Sequence, residues 1–179
     1  MGKRAVIEGQ KLLLEGRPAA GKSTIAGRLA ELLRAGGASV SGFITTEVRE
    51  GGRRVGFSIE TFAGKQGMLA HVDLSGPPRV GKYGVDLEML ERIGVPALRP
   101  RKGGVVIVDE LGKMELASEL FREAVVELFD DPGTVIATVQ RARHPLTDAL
   151  KRRRDVETLQ VTHKNRDLLP KRLAESLLR

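Results

Sequence analysis

Leu12-Leu13-Leu14 is an apolar run short enough for a buried strand, and Ile25, Leu29, Leu32 and Leu33 follow it with helical spacing until Gly36-Gly37 stops the stripe. Val40 to Thr46 predicts a second strand. From there to about Leu69 the period drops to two. Val55, Phe57, Ile59 and Thr61 alternate with Arg54, Gly56, Ser58 and Glu60 behind the turn Glu50-Gly51-Gly52-Arg53, and a turn at Gly64 feeds a short strand through Met68 and Leu69. Asp73 to Lys82, with Pro77, Pro78, Gly76 and Gly81, predicts a surface loop, and Val85 to Ile93 a short helix.

Val105-Val106-Ile107-Val108 then has the uninterrupted apolar character of a strand covered on both faces of a parallel sheet. Leu116, Leu120, Ala124, Val125 and Leu128 predict a helix face that ends at Asp131-Pro132-Gly133, and Thr134 to Val139 predicts another β-branched strand. Val156 to Thr162 and a helix carrying Leu168, Leu169, Leu173 and Leu177 close the chain. Strands alternating with helices predict an α/β fold, a mainly parallel sheet flanked by helices, with an antiparallel meander inserted. At 179 residues the expectation is one domain spanning 1–179.

The chemistry begins at the end of the first strand. Gly16-Arg17-Pro18-Ala19-Ala20-Gly21-Lys22-Ser23 fits G-x-x-x-x-G-K-[ST], which wraps backbone N–H groups around a polyphosphate at a helix N-terminus. Alone the match could be a glycine-bounded turn, but here a strand precedes it and a helix follows. Lys22 would extend to the β- and γ-phosphates, the Ser23 hydroxyl would ligate Mg²⁺, and Thr24 completes the nucleotide-binding segment mainly by supporting the helix.

Asp109 and Glu110 follow the second apolar strand, where open α/β sheets bind ligands. A solvated acidic pair is the plain alternative. Beside a phosphate loop, Asp109 reads as the second Mg²⁺ contact through water, and Glu110 as the base that aligns and deprotonates a water attacking the γ-phosphorus. Gln140 ends its strand as a γ-phosphate sensor or as an exposed amide. The basic stretch Arg141 to Arg154 is either a lid bringing Arg141, Arg143 or Arg152 to the γ-phosphate, or a solvated face. Asn165 and Asp167 lie where they could reach a base or ribose, or cap the last helix. His144 and His163 lack the pairing of a metal site and read as surface histidines.

The 30 Lys and Arg against 23 Asp and Glu give +7, compatible with nucleic acid, an acidic surface or anionic nucleotides. Aromatics at 3% leave nucleic acid unsupported, because stacking platforms are scarce. Zero cysteines exclude a disulfide framework and thiolate metal sites. No apolar stretch reads as a signal or a membrane span, and no large apolar interface is marked, so a cytoplasmic monomer without a membrane partner is expected.

The chain is similar to the thermophile and cancer-related nucleoside-triphosphatases. The resemblance rests on Gly16-Arg17-Pro18, the hairpin from Gly42-Phe43 to Phe57, Lys82-Tyr83-Gly84-Val85, the long acidic segment Asp109 to Leu116, and Asn165-Arg166-Asp167. It implies a RecA-like P-loop domain and slow Mg²⁺-dependent hydrolysis of several nucleoside triphosphates, ATP and GTP among them, to diphosphates. Nucleotide binding is implied for Gly16 to Ser23 and the Asp109 region. Lys113 and Glu115 match the segment with no role assigned. Where that family's loop carries a further glycine, this chain has Ala19, a strained choice if the position needs positive φ. Kinase chemistry, which needs an acceptor pocket, and a nucleotide-responsive module for RNA or a protein stand as alternatives.

Overall fold

The computed structural model describes residues 6–178. Nine strands form one sheet in the order β5-β6-β4-β3-β2-β7-β8-β1-β9. The strands β2 (Val40–Glu50), β7 (Val105–Leu111), β8 (Thr134–Gln140), β1 (Lys11–Gly16) and β9 (Val156–Gln160) run parallel. On the other side of β2, β3 (Arg53–Thr61), β4 (Gln66–His71), β6 (Tyr83–Val85) and β5 (Arg79–Val80) continue the sheet antiparallel. The α/β sheet with its inserted meander is therefore the fold the strand pattern predicted.

The apolar runs are continuous because both faces of the parallel strands are covered. Leu12, Leu14, Val105 and Ile107 face one core with Ile25, Leu29 and Leu33 of α1 (Lys22–Ala35) and Leu173 of α6 (Leu169–Leu177). Leu13, Val106 and Val108 point the other way, into a core holding Phe43, Phe121, Val125 and Phe129. Side chains alternate across a strand, so one three-leucine run serves both layers. At about 25 cal/mol per Å², each buried Leu or Phe contributes roughly 2 kcal/mol. Gly42, at φ 97, is required where β2 passes β7, since a Cβ there would lie 1.9 Å from the Ile107 carbonyl oxygen.

Three expectations change. The loop predicted over Asp73 to Lys82 contains β5, and Val85 belongs to β6, not to a helix. The following segment is a broken helical run: α2 (Leu87–Met89), capped by Asp86, then a π-helical stretch Leu90–Gly94, then α3 (Val95–Ala97). The helix predicted from Leu116 begins later, as α4 (Glu119–Asp130), behind a 3₁₀ turn Glu115–Ala117. Ser118 caps it by accepting from the Phe121 N–H at 3.0 Å. Its buried face is Phe121, Val125, Leu128 and Phe129, while Leu120 is 54% exposed. No helix among the described residues is long and apolar enough to cross a membrane.

Candidate functional site

The phosphate-loop sequence lies between β1 and α1, as its spacing requires. Gly21 takes φ 102, and a Cβ there would meet Arg166 Cδ at 3.2 Å. Ala19 takes φ 60, so the positive-φ position does fall on a residue with a Cβ, at a cost of about 1 kcal/mol or more. Arg17, Pro18 and Ala19 are exposed, Ala20 is buried, and Ser23 and Thr24 open the helix at the surface.

Lys22 is the buried cation of the loop. Its Nζ donates to the Gly16 and Arg17 carbonyls, each at 3.0 Å, and lies 4.0 Å from Glu110 Oε2. Glu110 arrives there because β7 breaks register between Val108 and Leu111, where its pairing with β8 is irregular. Its Oε1 accepts from the Gln140 amide at 2.7 Å. Gln140 pairs with Gly16 across β8 and β1, which seats that amide beside the phosphate loop. Burial pushes the Glu110 carboxyl up, with Gln140 and Lys22 acting against it and Asp109 with it.

Asp109 is fully buried. Oδ1 accepts from the Thr138 hydroxyl at 2.6 Å, while Oδ2 is buried with no hydrogen-bond partner. Burial raises its pKa, and Thr138, Ser23, the Thr45 backbone and Lys22 oppose the rise. A buried carboxylate oxygen without a partner is costly unless a cation or a hydrated cation satisfies it. Mg²⁺ suits this donor set, because it is bound through one or two carboxylates plus substrate phosphates and not by a protein cage.

The other candidates divide. Arg141, exposed, donates to Gln160 Oε1 at 3.4 Å, and Arg143 pairs with Asp148 at 3.2 Å on α5 (Pro145–Lys151). Arg152 adjoins Arg153, whose guanidinium grips Asp130, Asp155 and the Phe129 carbonyl beside the start of β9. That half of the basic segment is fastened at the strand-start end of the sheet, away from the loop. Lys151 instead reaches back to Glu15 and the Gln140 carbonyl. Asn165 accepts from the Thr162 N–H and donates to the Gln160 carbonyl, so its amide braces the loop. The capping alternative for Asn165 and Asp167 fails: Leu168 occupies the N-cap of α6 with no side-chain bond. His144 is not merely a surface histidine, since its Nδ1 accepts from the Leu146 N–H and caps α5.

Two residues stand out that the residue patterns left without a role. Arg166 packs its stem over Gly21, and its place in Asn165-Arg166-Asp167 was the available signal. Glu115 is buried, its Oε2 accepting from the Gly112 N–H at 3.2 Å. Gly112 separates it from Glu110: a Cβ there would meet Glu110 Oε1 at 2.9 Å and Glu115 Oε2 at 3.0 Å. Burial, then repulsion by Glu110, pushes the Glu115 carboxyl up to about 8.

That value carries a stability prediction. An unfolded Glu115 loses its proton near 4.5, so between 4.5 and about 8 the native state holds the extra proton, and stability falls as pH rises through that window. The fall is on the order of a few kcal/mol and levels off above it. Glu115→Gln has no proton to lose there. Thermal melts of wild type and variant should lie closest near the lower limit of the window and separate in the variant's favour toward its upper limit; a gap that does not grow with pH overturns the assignment.

The NTPase family profile matches residues 11–174. Nucleoside-triphosphatase THEP1 of Thermotoga petrophila is 46% identical over 165 residues, 91% of this chain and 90% of that protein. The human cancer-related nucleoside-triphosphatase is 40% identical, covering 89% of this chain and 92% of that protein. The crystal structure of THEP1 from Aquifex aeolicus superposes with a TM-score of 0.83 at 32% identity, covering 95% of this chain and 100% of the other. The solution structure of the human protein gives 0.80 at 38% identity, covering 93% and 96%.

Proposed function

Because the chain belongs to this NTPase family, we propose that it hydrolyses nucleoside triphosphates, ATP and GTP among them, to the diphosphate and phosphate, with Mg²⁺. The observation that carries the reading is the approach of Lys22 Nζ to Glu110 Oε2, 4.0 Å apart at the phosphate loop. The loop N–H groups and Lys22 bind and orient the triphosphate. Ser23 and Asp109 would hold Mg²⁺, which neutralises phosphate charge when bound.

Glu110 aligns the attacking water, and Gln140 fixes the Glu110 carboxylate in place. As the water oxygen bonds to the γ-phosphorus, the bond from that phosphorus to the β–γ bridging oxygen breaks, and the water's proton passes to Glu110. A carboxylate raised by burial is a better acceptor near neutral pH than an exposed one. Arg166, against Gly21, is seated to meet charge on the phosphates. Asn165 spends its amide on backbone, which supports broad base tolerance.

The test is phosphate release from ATP and from GTP in the absence of any acceptor. Release from both, abolished by chelating Mg²⁺, is expected. Nucleoside diphosphate that forms only when an acceptor is added would overturn hydrolysis in favour of a kinase.

A further inference from the structure

A cleft of about 610 Å³ opens at the opposite end of the molecule, where α1 ends and β2 begins. The fourteen residues of α1 span about 20 Å, so the cleft is separated by that distance from the phosphate loop at the other end of the helix. Its floor is apolar, with Ala38, Val40 and Ile93 almost entirely buried. Its walls carry Arg34, Lys65, Arg99 and Arg101, and no Asp or Glu lines it.

Among the described residues none of these four cations forms an ion pair. Other unpaired cations lie scattered over the surface; here four are gathered around one concavity whose lining holds no carboxylate to offset them. Arg34 is also held in place: its guanidinium sits 5.1 Å from the centre of the Phe62 ring and donates to the Phe62 carbonyl. A flat cation fixed on an aromatic wall, further arginines around it and an apolar floor make a surface complementary to an anion with an apolar body. The volume falls in the range of small-molecule sites.

We propose that this cleft is a second binding site, for a phosphate ester with a flat apolar body, the class to which nucleoside monophosphates belong. The phosphate engages the arginines, whose forks match its oxygens, and the ring lies against the Arg34–Phe62 pair and the floor. Several cations favour a doubly charged phosphate over a singly charged carboxylate.

The experiment uses the full chain carrying Lys22→Ala, so that the phosphate loop is weakened and the result stands apart from the hydrolytic reading. AMP is titrated while NMR follows the Ala38 and Ala97 methyls and the Phe62 ring. Saturable shifts at these groups are expected, weakened at least about tenfold by adding Arg99→Ala with Arg101→Ala, and at least about tenfold weaker for inorganic phosphate than for AMP. The same arginine pair replaced in the otherwise native chain should leave phosphate release from ATP unchanged, which shows that the variant is folded. No shift in the cleft, a shift indifferent to the arginines, or equal binding of inorganic phosphate each overturns the proposal.

Discussion

Glu110→Gln should release phosphate from ATP about a hundredfold to ten-thousandfold more slowly than wild type, the range for loss of a positioned general base. The amide keeps the size of the side chain and can still accept from Gln140, so the pocket holds its shape. What disappears is the acceptor for the water's proton and one negative charge, 4.0 Å from Lys22, that a triphosphate would face. ATP affinity measured by calorimetry should therefore be equal or tighter while turnover collapses. A variant that binds ATP and turns over like wild type would remove Glu110 from the chemistry.

Lys22→Ala should fail differently. The ammonium is the one buried cation of the loop, and charge-assisted bonds to phosphate are worth about 2–3 kcal/mol, so ATP affinity should fall roughly a hundredfold. Turnover should fall further, because charge grows on the γ-phosphoryl oxygens as the bond breaks. Calorimetry and phosphate release on one preparation separate the two effects. Unchanged ATP affinity in a folded Lys22→Ala protein would mean that the triphosphate does not lie in this loop.

How much of this was legible in the sequence follows from the physics of each element. Leu12 to Leu14, Val105 to Val108 and Thr134 to Val139 are readable because strands covered on both faces must be apolar throughout. The phosphate loop is readable because its spacing is a backbone requirement. By contrast, β5 and β6 are two and three residues long and exist through pairing with each other and with β4, which no local pattern announces. The apolar spacing puts Leu120 on the inner face of α4, but Phe121 and Phe129 set the helix's phase and fill the core beside Phe43, which turns Leu120 outward. Asp109 and Glu110 could be placed at a strand end, but the burial of Glu115 under Gly112 depends on a turn that folds the chain back. The sequence presents three carboxylates close together and does not say which is hidden. The same holds for Arg152, since only the fold shows its neighbour Arg153 anchored to Asp130.

The bonds of Lys22 to two carbonyls of its own loop bear on how the molecule persists between turnovers. A positive charge shut away from water would ordinarily weigh against folding, yet this one already lies among oxygens that solvate it. The two carbonyls therefore offset the cost of burying this ammonium within the fold itself. On the proposed reading, a triphosphate bound in this loop would exchange one set of oxygen neighbours for another, so part of its attraction would be spent on that substitution, and release of the diphosphate would return the lysine to the two carbonyls.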